Sequence, residues 1–444
     1  MLKSYKYRLY PTGEQKRVLA QTFGCARLLY NSLLDWWKTE YTSAKAEERP
    51  METLPLVTVF KTQYPFMRDI DSLALMNARR NFQTALKNFF DSKSGKRKGR
   101  KVGFPDFKRK GKCTDSYTTN SQDGTIAVDM EVGMVKLPKV KWVKCVLHRP
   151  LPDGGRIIRA TVSRNKAGQY HVSVLVEIPE TEISIRRHKS EQLKVVGIDL
   201  SMDKFAVSSD AEDDVTKAKY VRLYRKAEKR IARLNRTHSR RELVMNDETG
   251  RKTPSKNREK ARLRLAKAHL KVANRRNDFT WKMARHYACK YDVIVLEDID
   301  LQAMARTLHL GKSVNDLGFG MFRTRLEWKC AEFGSEVVYA DKWFPSSKTC
   351  NHCGAVNKDL SLSDREWVCP ECGCIVDRDY NAACNLRDWF FEHINEIYST
   401  DGTAGIHACG DSISTSGTPL MQAGSMKQES SMGDHEAPTY SKWG

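Results

Sequence analysis

Two Cys-x-x-Cys pairs, Cys350/Cys353 and Cys369/Cys372, stand fifteen residues apart. That is metal-ribbon spacing: each pair sits on a tight knuckle, and two knuckles supply four thiolates to one tetrahedral Zn²⁺. Gly354 and Gly373 follow the pairs, where knuckle backbone needs left-handed or otherwise open dihedrals. Four thiolates leave no open coordination position, so this zinc is expected to be structural, with Cys374 and Cys384 as bystanders. Chemistry must then come from carboxylates. The apolar run Leu193–Asp199 ends in Asp199, the run YDVIVLEDI (Tyr291–Ile299) carries Glu297 and Asp298, and Asp377-Arg378-Asp379 leads into a predicted helix. Singly, each has a plain structural explanation: a turn residue, a strand-end charge paired with a lysine, a helix N-cap. Together they are harder to explain so, because in a sheet with parallel neighbours the strand ends and facing helix N-termini converge on one edge. Three carboxylates there repel one another unless cations neutralise them, and hard oxygen ligands suit Mg²⁺ or Mn²⁺. Two such ions about 3.5–4 Å apart clamp the attacking water and the leaving oxygen of a phosphoryl displacement. The expected chemistry is phosphodiester hydrolysis.

The composition names the kind of partner. A chain of 444 residues is long enough for several domains and a sizeable core. Its formal net charge is +22, with the basic residues in clusters, which calls for a polyanion, nucleic acid first among them. Outside the ribbon, Cys25, Cys113, Cys145, Cys289 and Cys330 are scattered singly, a pattern of a reducing compartment rather than a disulfide framework. The start MLKSYKYRLYPTGEQ has no apolar targeting core and no apolar run is long enough to span a bilayer, so a cytoplasmic location without a membrane partner is expected.

The elements that must position these groups follow from periodicity. Lys3 to Tyr10 alternates as a half-buried strand with Tyr5, Tyr7 and Leu9 on one face. Thr12-x-x-Gln15 is a capping box for a helix burying Leu19, Phe23, Ala26, Tyr30 and Leu33, and a second helix is expected from Asp71 to Asp91. The stretch SGKRKGRKVGFPDFKRKGK (Ser94 to Lys112) mixes cations with Phe104 and Phe107 and reads as a backbone-contacting arm, with Arg97, Lys98, Lys108 and Arg109 meeting phosphates. Thr114 to Thr181 is strand-rich, its clearest part a hairpin from Ile157 to Ser163 and Tyr170 to Ile178 around Gly168. With the first strand this suggests a small β-barrel interrupted by a helical insertion. After Asp199, Asp203 to Ser209 is expected to return as a second strand. A basic helical hairpin follows, with Leu223, Ala227, Ile231 and Leu234 as one seam and Leu263, Ala266, Leu270 and Ala273 as the other. Its cations, among them Arg222, Arg230, Arg262, Arg264, Arg275 and Arg276, read as a wall of a nucleic-acid channel. Phe322 to Phe333 and Arg387 to Tyr398 read as helices, Glu336 to Ala340 as a strand, and the polar chain from Ser399 onward as disordered.

At these residues the chain resembles a known family. GIDLSMDKFAVSSD, VIVLEDI, WFPSSKTCNHCG with CPECG, and DRDYNAACNL are similar to the RuvC-like nuclease core of TnpB, the RNA-guided endonuclease of bacterial insertion sequences, related to type V CRISPR effector nucleases. The resemblance extends to YKYRLYPTGEQ, GCARLLYNSLL, GFPDFKRK and GTAGIHACGD, and so to nearly the whole chain. It implies an α/β RNase H-like (RuvC) core with an inserted zinc ribbon, plus a β-barrel wedge domain interrupted by a helical recognition domain. The implied segments are 1–11 and 114–190 for the wedge, 12–113 for recognition and the basic arm, 191–345 and 377–400 for the nuclease core, 346–376 for the ribbon, and a disordered tail at 401–444. By motif, Asp199, Glu297 and Asp379 match the family's catalytic, magnesium-holding acids; Asp379 is chosen over Asp377 because it stands two before the asparagine of D-x-N-A. The resemblance further implies a transposon-derived guide RNA, double-stranded target DNA, and one protomer per complex. A short motif beside the target would be read by Asn77, Tyr117, Thr119 and Asn120. The rival readings are a nuclease-inactive RNA-guided repressor, which predicts a lost carboxylate, a transposase that joins DNA ends itself, and an RNA-binding module with a structural zinc.

Overall fold

The structure, a computed structural model, describes residues 2–97, 99–122, 124–178, 193–213, 223–245, 252–307, 311–361 and 364–398. The expectations for Lys98, Arg222 and the 401–444 tail lie outside the described residues, as does the expected boundary near residue 190. The chain divides into two compact units, one within residues 1–183 and one within 184–410.

The first unit contains β1 (Leu2–Leu9), α1 (Gly13–Ala46), α2 (Val57–Gln63), α3 (Ser72–Lys93), β2 (Asp115–Asn120), β3 (Ala127–Asp129), β4 (Met134–Leu137), β5 (Lys141–Val146), β6 (Arg156–Arg164) and β7 (Tyr170–Glu177). These strands form one seven-stranded sheet in the order β2-β6-β7-β1-β5-β4-β3. The first strand of the chain thus threads between two late ones, pairing with β7 along its whole length. Among the described residues no ladder joins β2 to β3. Alternation on β1 buries Tyr5, Tyr7 and Leu9, which pack with Leu19, Phe23 and Leu33 of α1 and Leu75 and Phe82 of α3. Both halves of the Thr12/Gln15 capping box are made, satisfying two helix-terminal donors.

The second unit contains β8 (Val195–Asp199), β9 (Val207–Ser208), α4 (Leu223–Ser239), the hairpin β10 (Leu243–Met245) and β11 (Lys252–Pro254), then α5 (Lys256–Lys290) and β12 (Val293–Glu297). α6 (Leu301–Thr307), α7 (Gly311–Leu317), α8 (Phe319–Phe333), β13 (Glu336–Ala340), β14 (Glu366–Val368), β15 (Ile375–Asp377) and α9 (Arg378–Tyr398) complete it. The central sheet has the order β13-β12-β8-β9, with β12 parallel to both β13 and β8. Both faces of β12 are covered, which is why its sequence is continuously apolar. Ile294 and Leu296 join Ala284, Tyr287, Phe322 and Leu326 of α5 and α8, while Val293 and Val295 join Leu386 and Phe390 of α9.

Two sequence expectations need correction here. The return strand after Asp199 is only Val207–Ser208, because Phe205 leaves extended backbone at φ 74° to insert its ring among Phe279, Phe319 and Phe322. A left-handed phenylalanine costs about 1–3 kcal/mol, which burying the whole ring offsets. In the hairpin, the seam on α4 is centred on buried Ile231, and on α5 the expected Leu263, Ala266 and Leu270 are half-buried while Ala273 is exposed. Ala261 and Val272 are the fully buried positions, with Leu265 and Ala268 half-buried beside them, so the apolar face is wider than expected and takes in Val272 in place of Ala273.

Candidate active site and metal centre

Strand alternation builds the acidic edge. On β8, Val196 and Ile198 enter the core on the α5/α8 side, leaving Val195, Gly197 and Asp199 on the side covered by α9. On β12 the same parity places Val293, Val295 and Glu297 toward α9. The parallel register pairs Val295 with Gly197 and Leu296 with Ile198, so Glu297 and Asp199 end adjacent strands side by side. Helix α9 is able to approach because Gly197 has no side chain. A Cβ there would lie 2.0 Å from the Ala383 carbonyl oxygen and 2.7 Å from the Arg387 amide nitrogen. This close approach brings Asp379, in the first turn of α9, to the carboxylate edge.

The two aspartates of the DRD triplet have different work. Asp377 Oδ1 accepts from the Tyr380 amide at 2.9 Å, capping α9, and Lys204 Nζ lies 3.1 Å from its other oxygen. Asp379 is 8% exposed and accepts from Ser201 Oγ at 2.7 Å. Arg365, from the ribbon, places one guanidinium nitrogen 3.7 Å from Asp379 and another 2.8 Å from Asp203. Asp298 is likewise tied away from the edge, by Arg323 at 3.1 Å. Burial, and then the charges of Asp379 and Glu297, push the Asp199 carboxyl up to about 8 against the pull of Arg378 and Arg365. Burial also raises Glu297, opposed by Arg378 and reinforced by Asp298. Asp199 thus feels the charge of both other acids, and the three share one edge. They do not form a closed ligand shell: among the described residues, the sets of ligand atoms all within 4.8 Å are the four ribbon cysteines and His352, Cys372 and Cys374. Carboxylates that oppose one another's ionisation are a donor set fitted to a hard divalent cation such as Mg²⁺ or Mn²⁺. Ser201 and Arg365 were not singled out from the sequence, since their place beside Asp379 comes from pairing far apart in the chain.

The ribbon has the shape its spacing predicts. Cys350 Sγ lies 3.8 Å from Cys372 Sγ, and Cys353 Sγ 3.5 Å from Cys369 Sγ. A tetrahedron with Zn–S bonds of about 2.3 Å has edges of about 3.8 Å, so the four thiols fit Zn²⁺. Gly354 and Gly373 adopt φ 77° and 70°, as the knuckles require. The amides of Cys372 and Glu371 aim at the Cys369 sulfur and draw its pKa down to about 6, toward the thiolate that a metal takes. Fully ligated by sulfur, this ion would hold the fold rather than act on substrate.

The residues expected to touch nucleic acid are less uniform. Arg109, Arg230, Arg264 and Arg275 are exposed, and Arg97 and Arg262 half-exposed, Arg262 with Glu259 at 2.8 Å. Arg276 is a correction: it pairs with buried Asp316 at 3.1 Å and holds α5 to α7. Lys108 is another. Its ammonium sits 3.6 Å from the centre of the Tyr30 ring, and burial lowers its pKa. Its backbone is gripped from both sides by Asn31, so this part of the arm is docked onto α1. Of the four expected motif readers, Asn77, Tyr117 and Thr119 are buried at the contact of α3 with β2, and Asn120 is half-exposed. Asn77 Nδ2 donates to the Leu73 and Thr118 carbonyls, and Tyr117 packs on Phe23 while lining a cavity of ≈ 250 Å³ with Arg27 and Asn81. As placed, Asn77 and Thr119 serve this packing and do not face solvent.

Among the described residues no helix is long and apolar enough to cross a membrane. Family models match three parts of the chain: "Helix-turn-helix domain" of IS605 OrfB at residues 1–46, "Probable transposase" at 171–308, and "Cas12f1-like, TNB domain" at 319–386. The first of these segments is here a strand and one unbroken helix, β1 and α1. A Streptomyces pristinaespiralis protein named "Putative RNA-guided DNA endonuclease" is 32% identical over 394 residues, spanning 86% of this chain and 88% of its own length. "Putative RNA-guided DNA endonuclease InsQ" of Escherichia coli (strain K12) is 25% identical over 438 residues, spanning 95% and 97%. A solved Cas12f1-sgRNA-target DNA complex aligns over 87% of this chain and 98% of that one at 13% identity, with a TM-score of 0.44, too loose a likeness to bear weight. With one relative above 30% identity along almost the whole chain, and IS605 OrfB models matching both its start and its middle, this protein belongs to the TnpB family of transposon-encoded proteins.

Proposed function

We propose that this protein is an RNA-guided DNA endonuclease that hydrolyses phosphodiester bonds at the edge formed by Asp199, Glu297 and Asp379, with Mg²⁺ or Mn²⁺ as the resident ions. The observation that carries this is the shared parity of β8 and β12, which turns Asp199 and Glu297 toward the helix bearing Asp379. Divalent ions held there would neutralise charge on the phosphoryl group and activate a water. Ser201 orients the Asp379 carboxylate, Asp377 fixes the start of the helix, and Arg323 keeps Asp298 out of the set. On this reading the second unit, 191–345 with 377–400, is a RuvC-type core carrying the ribbon. The sheet of the first unit is the barrel-like wedge, with its helices as the recognition insertion. A guide RNA from the transposon end reads the target by base pairing, and the protein reads only a short motif beside it, in the region of Tyr117 and Asn120. A nuclease-inactive repressor is the second reading, and the presence of all three carboxylates disfavours it.

The arm supplies a local check. Lys108→Ala should lower stability by about 1–2 kcal/mol, the scale of a desolvated cation–π contact, and leave the salt dependence of RNA binding unchanged. Arg109→Ala should do the reverse, reducing the log–log salt slope by about one. Equal slopes for both variants would remove Lys108 from the packing role given above.

The reading as a whole is tested by plasmid depletion in cells. The protein is co-expressed with its native downstream DNA and challenged with targets that match that flank beside a randomised motif. Depletion of targets sharing one short motif is expected. Absence of depletion with RNA still co-purifying would favour the repressor.

A further inference from the structure

Two buried asparagines of α9 are left without a task by the acidic edge. Asn381 and Asn385 are 5% and 6% exposed and lie one helical turn apart. Asn381 Oδ1 accepts from the Asn351 amide at 2.8 Å, and its Nδ2 donates to the Thr349 carbonyl at 2.6 Å. Asn385 Nδ2 donates to the Ser346 and Thr349 carbonyls, both at 2.7 Å, and its Oδ1 accepts from Asn351 Nδ2 at 3.0 Å. Thr349 and Asn351 are the two neighbours of Cys350, so α9 grips the first zinc knuckle by its backbone on either side of a ligand. Only an amide side chain can donate and accept in this way; aspartate would accept alone and leucine would do neither.

The ribbon also has packing of its own. Its own small core of Leu360, Trp367 and Val376 packs around Cys350 and Cys369. The same hydrogen bonds constrain the helix. One flank of α9 rests on β8 at Gly197 through Ala383, and another is stapled to the knuckle through Asn381 and Asn385. Asp379 stands two residues before the first staple.

We propose that the first zinc knuckle is a positioning element for the acidic edge, with Asn381 and Asn385 transmitting the geometry of Ser346–Asn351 to α9 and so to Asp379. This rests on the reading of Asp199, Glu297 and Asp379 as a divalent-cation site. Neither asparagine is catalytic; each acts through the placement of a carboxylate.

The test uses the full-length, zinc-loaded protein, with Mn²⁺ titrated by electron paramagnetic resonance and zinc content measured by mass spectrometry. Asn381→Leu and Asn385→Leu should keep one zinc per chain and weaken Mn²⁺ binding by roughly 10–100-fold, the range for residues that orient metal ligands. Cleavage by these variants should recover at high Mg²⁺. Should either buried variant fail to fold, exposed Asn351→Ala removes the side-chain half of the staple and should weaken Mn²⁺ binding in the same direction. Wild-type Mn²⁺ affinity in all three would overturn the proposal. Zinc loss in the leucine variants would overturn it too, since the asparagines would then support the ribbon and not the reverse. Asp379→Ala separates the two readings: unchanged Mn²⁺ affinity in that variant would remove the cation site itself, independently of the staple.

Discussion

Asp199→Ala should reduce target cleavage by roughly a thousandfold or more, while the protein still binds its RNA with unchanged affinity. The magnitude follows from the several kcal/mol that a divalent-ion site contributes to the transition state, each 1.36 kcal/mol being tenfold in rate. The separation of effects follows from position. Asp199 lies at the end of β8 beside Glu297, whereas the exposed cations offered to RNA lie on the arm and the α4–α5 hairpin. Removing this carboxylate also removes the burial penalty and, after it, the repulsion from Asp379 and Glu297 that push Asp199 up to about 8, so the folded protein should be no less stable than the parent. Single-turnover cleavage and RNA affinity, measured on the same preparation, decide the matter. Equal loss of both would mean that nuclease edge and RNA surface are not separate.

Gly197→Ala should damage the same site without touching any ionisable group. The added Cβ meets the Ala383 carbonyl oxygen at 2.0 Å and the Arg387 amide at 2.7 Å, and both belong to the backbone of α9. No rotamer change relieves such a contact, so the helix must retreat from the sheet. Overpacking of this kind costs about 1–3 kcal/mol or more, and the backbone clash places this case at the upper end. Thermal unfolding of the second unit should fall by roughly 6–12 °C at about 2–4 °C per kcal/mol. Because Asp379 moves with the helix, cleavage should fall by roughly a hundredfold, the scale of an ångström's misplacement. Wild-type melting together with wild-type cleavage would refute the close approach of α9 to β8.

Much of the site was legible in the chain because its signals are local. The cysteine spacing, the knuckle glycines and the Thr12/Gln15 capping box each involve residues within one turn or one short loop, where covalent geometry leaves few choices. The two apolar strands ending in Asp199 and Glu297 were legible too, whereas the shared face of the two acids follows from the parallel register of β8 and β12. What failed were choices between local solutions of similar energy. The α5 helix buries Ala261 and Val272 more fully than Leu263, Ala266 and Leu270, a ranking that periodicity alone does not give. Phe205 sits in a segment that alternates like a strand, yet burial of its ring draws the backbone out of it. Lys108 and Arg276 have the composition of phosphate contacts, and only a neighbouring ring or a buried aspartate reveals that they are used internally.

The sequence by itself determined the zinc quartet, the identity of the candidate acids and the order of the elements that carry them, because these depend on residue type and short-range spacing. Only the tertiary structure decided what surrounds each acid of a pair. Motif position already favours Asp379 over Asp377 and Glu297 over Asp298, but their different surroundings come from partners distant in the chain: the Arg323 guanidinium, the Ser201 hydroxyl, and a glycine on β8 that lets a helix come close. Charge and hydrogen-bonding capacity are written in the sequence, but where they are spent depends on long-range packing.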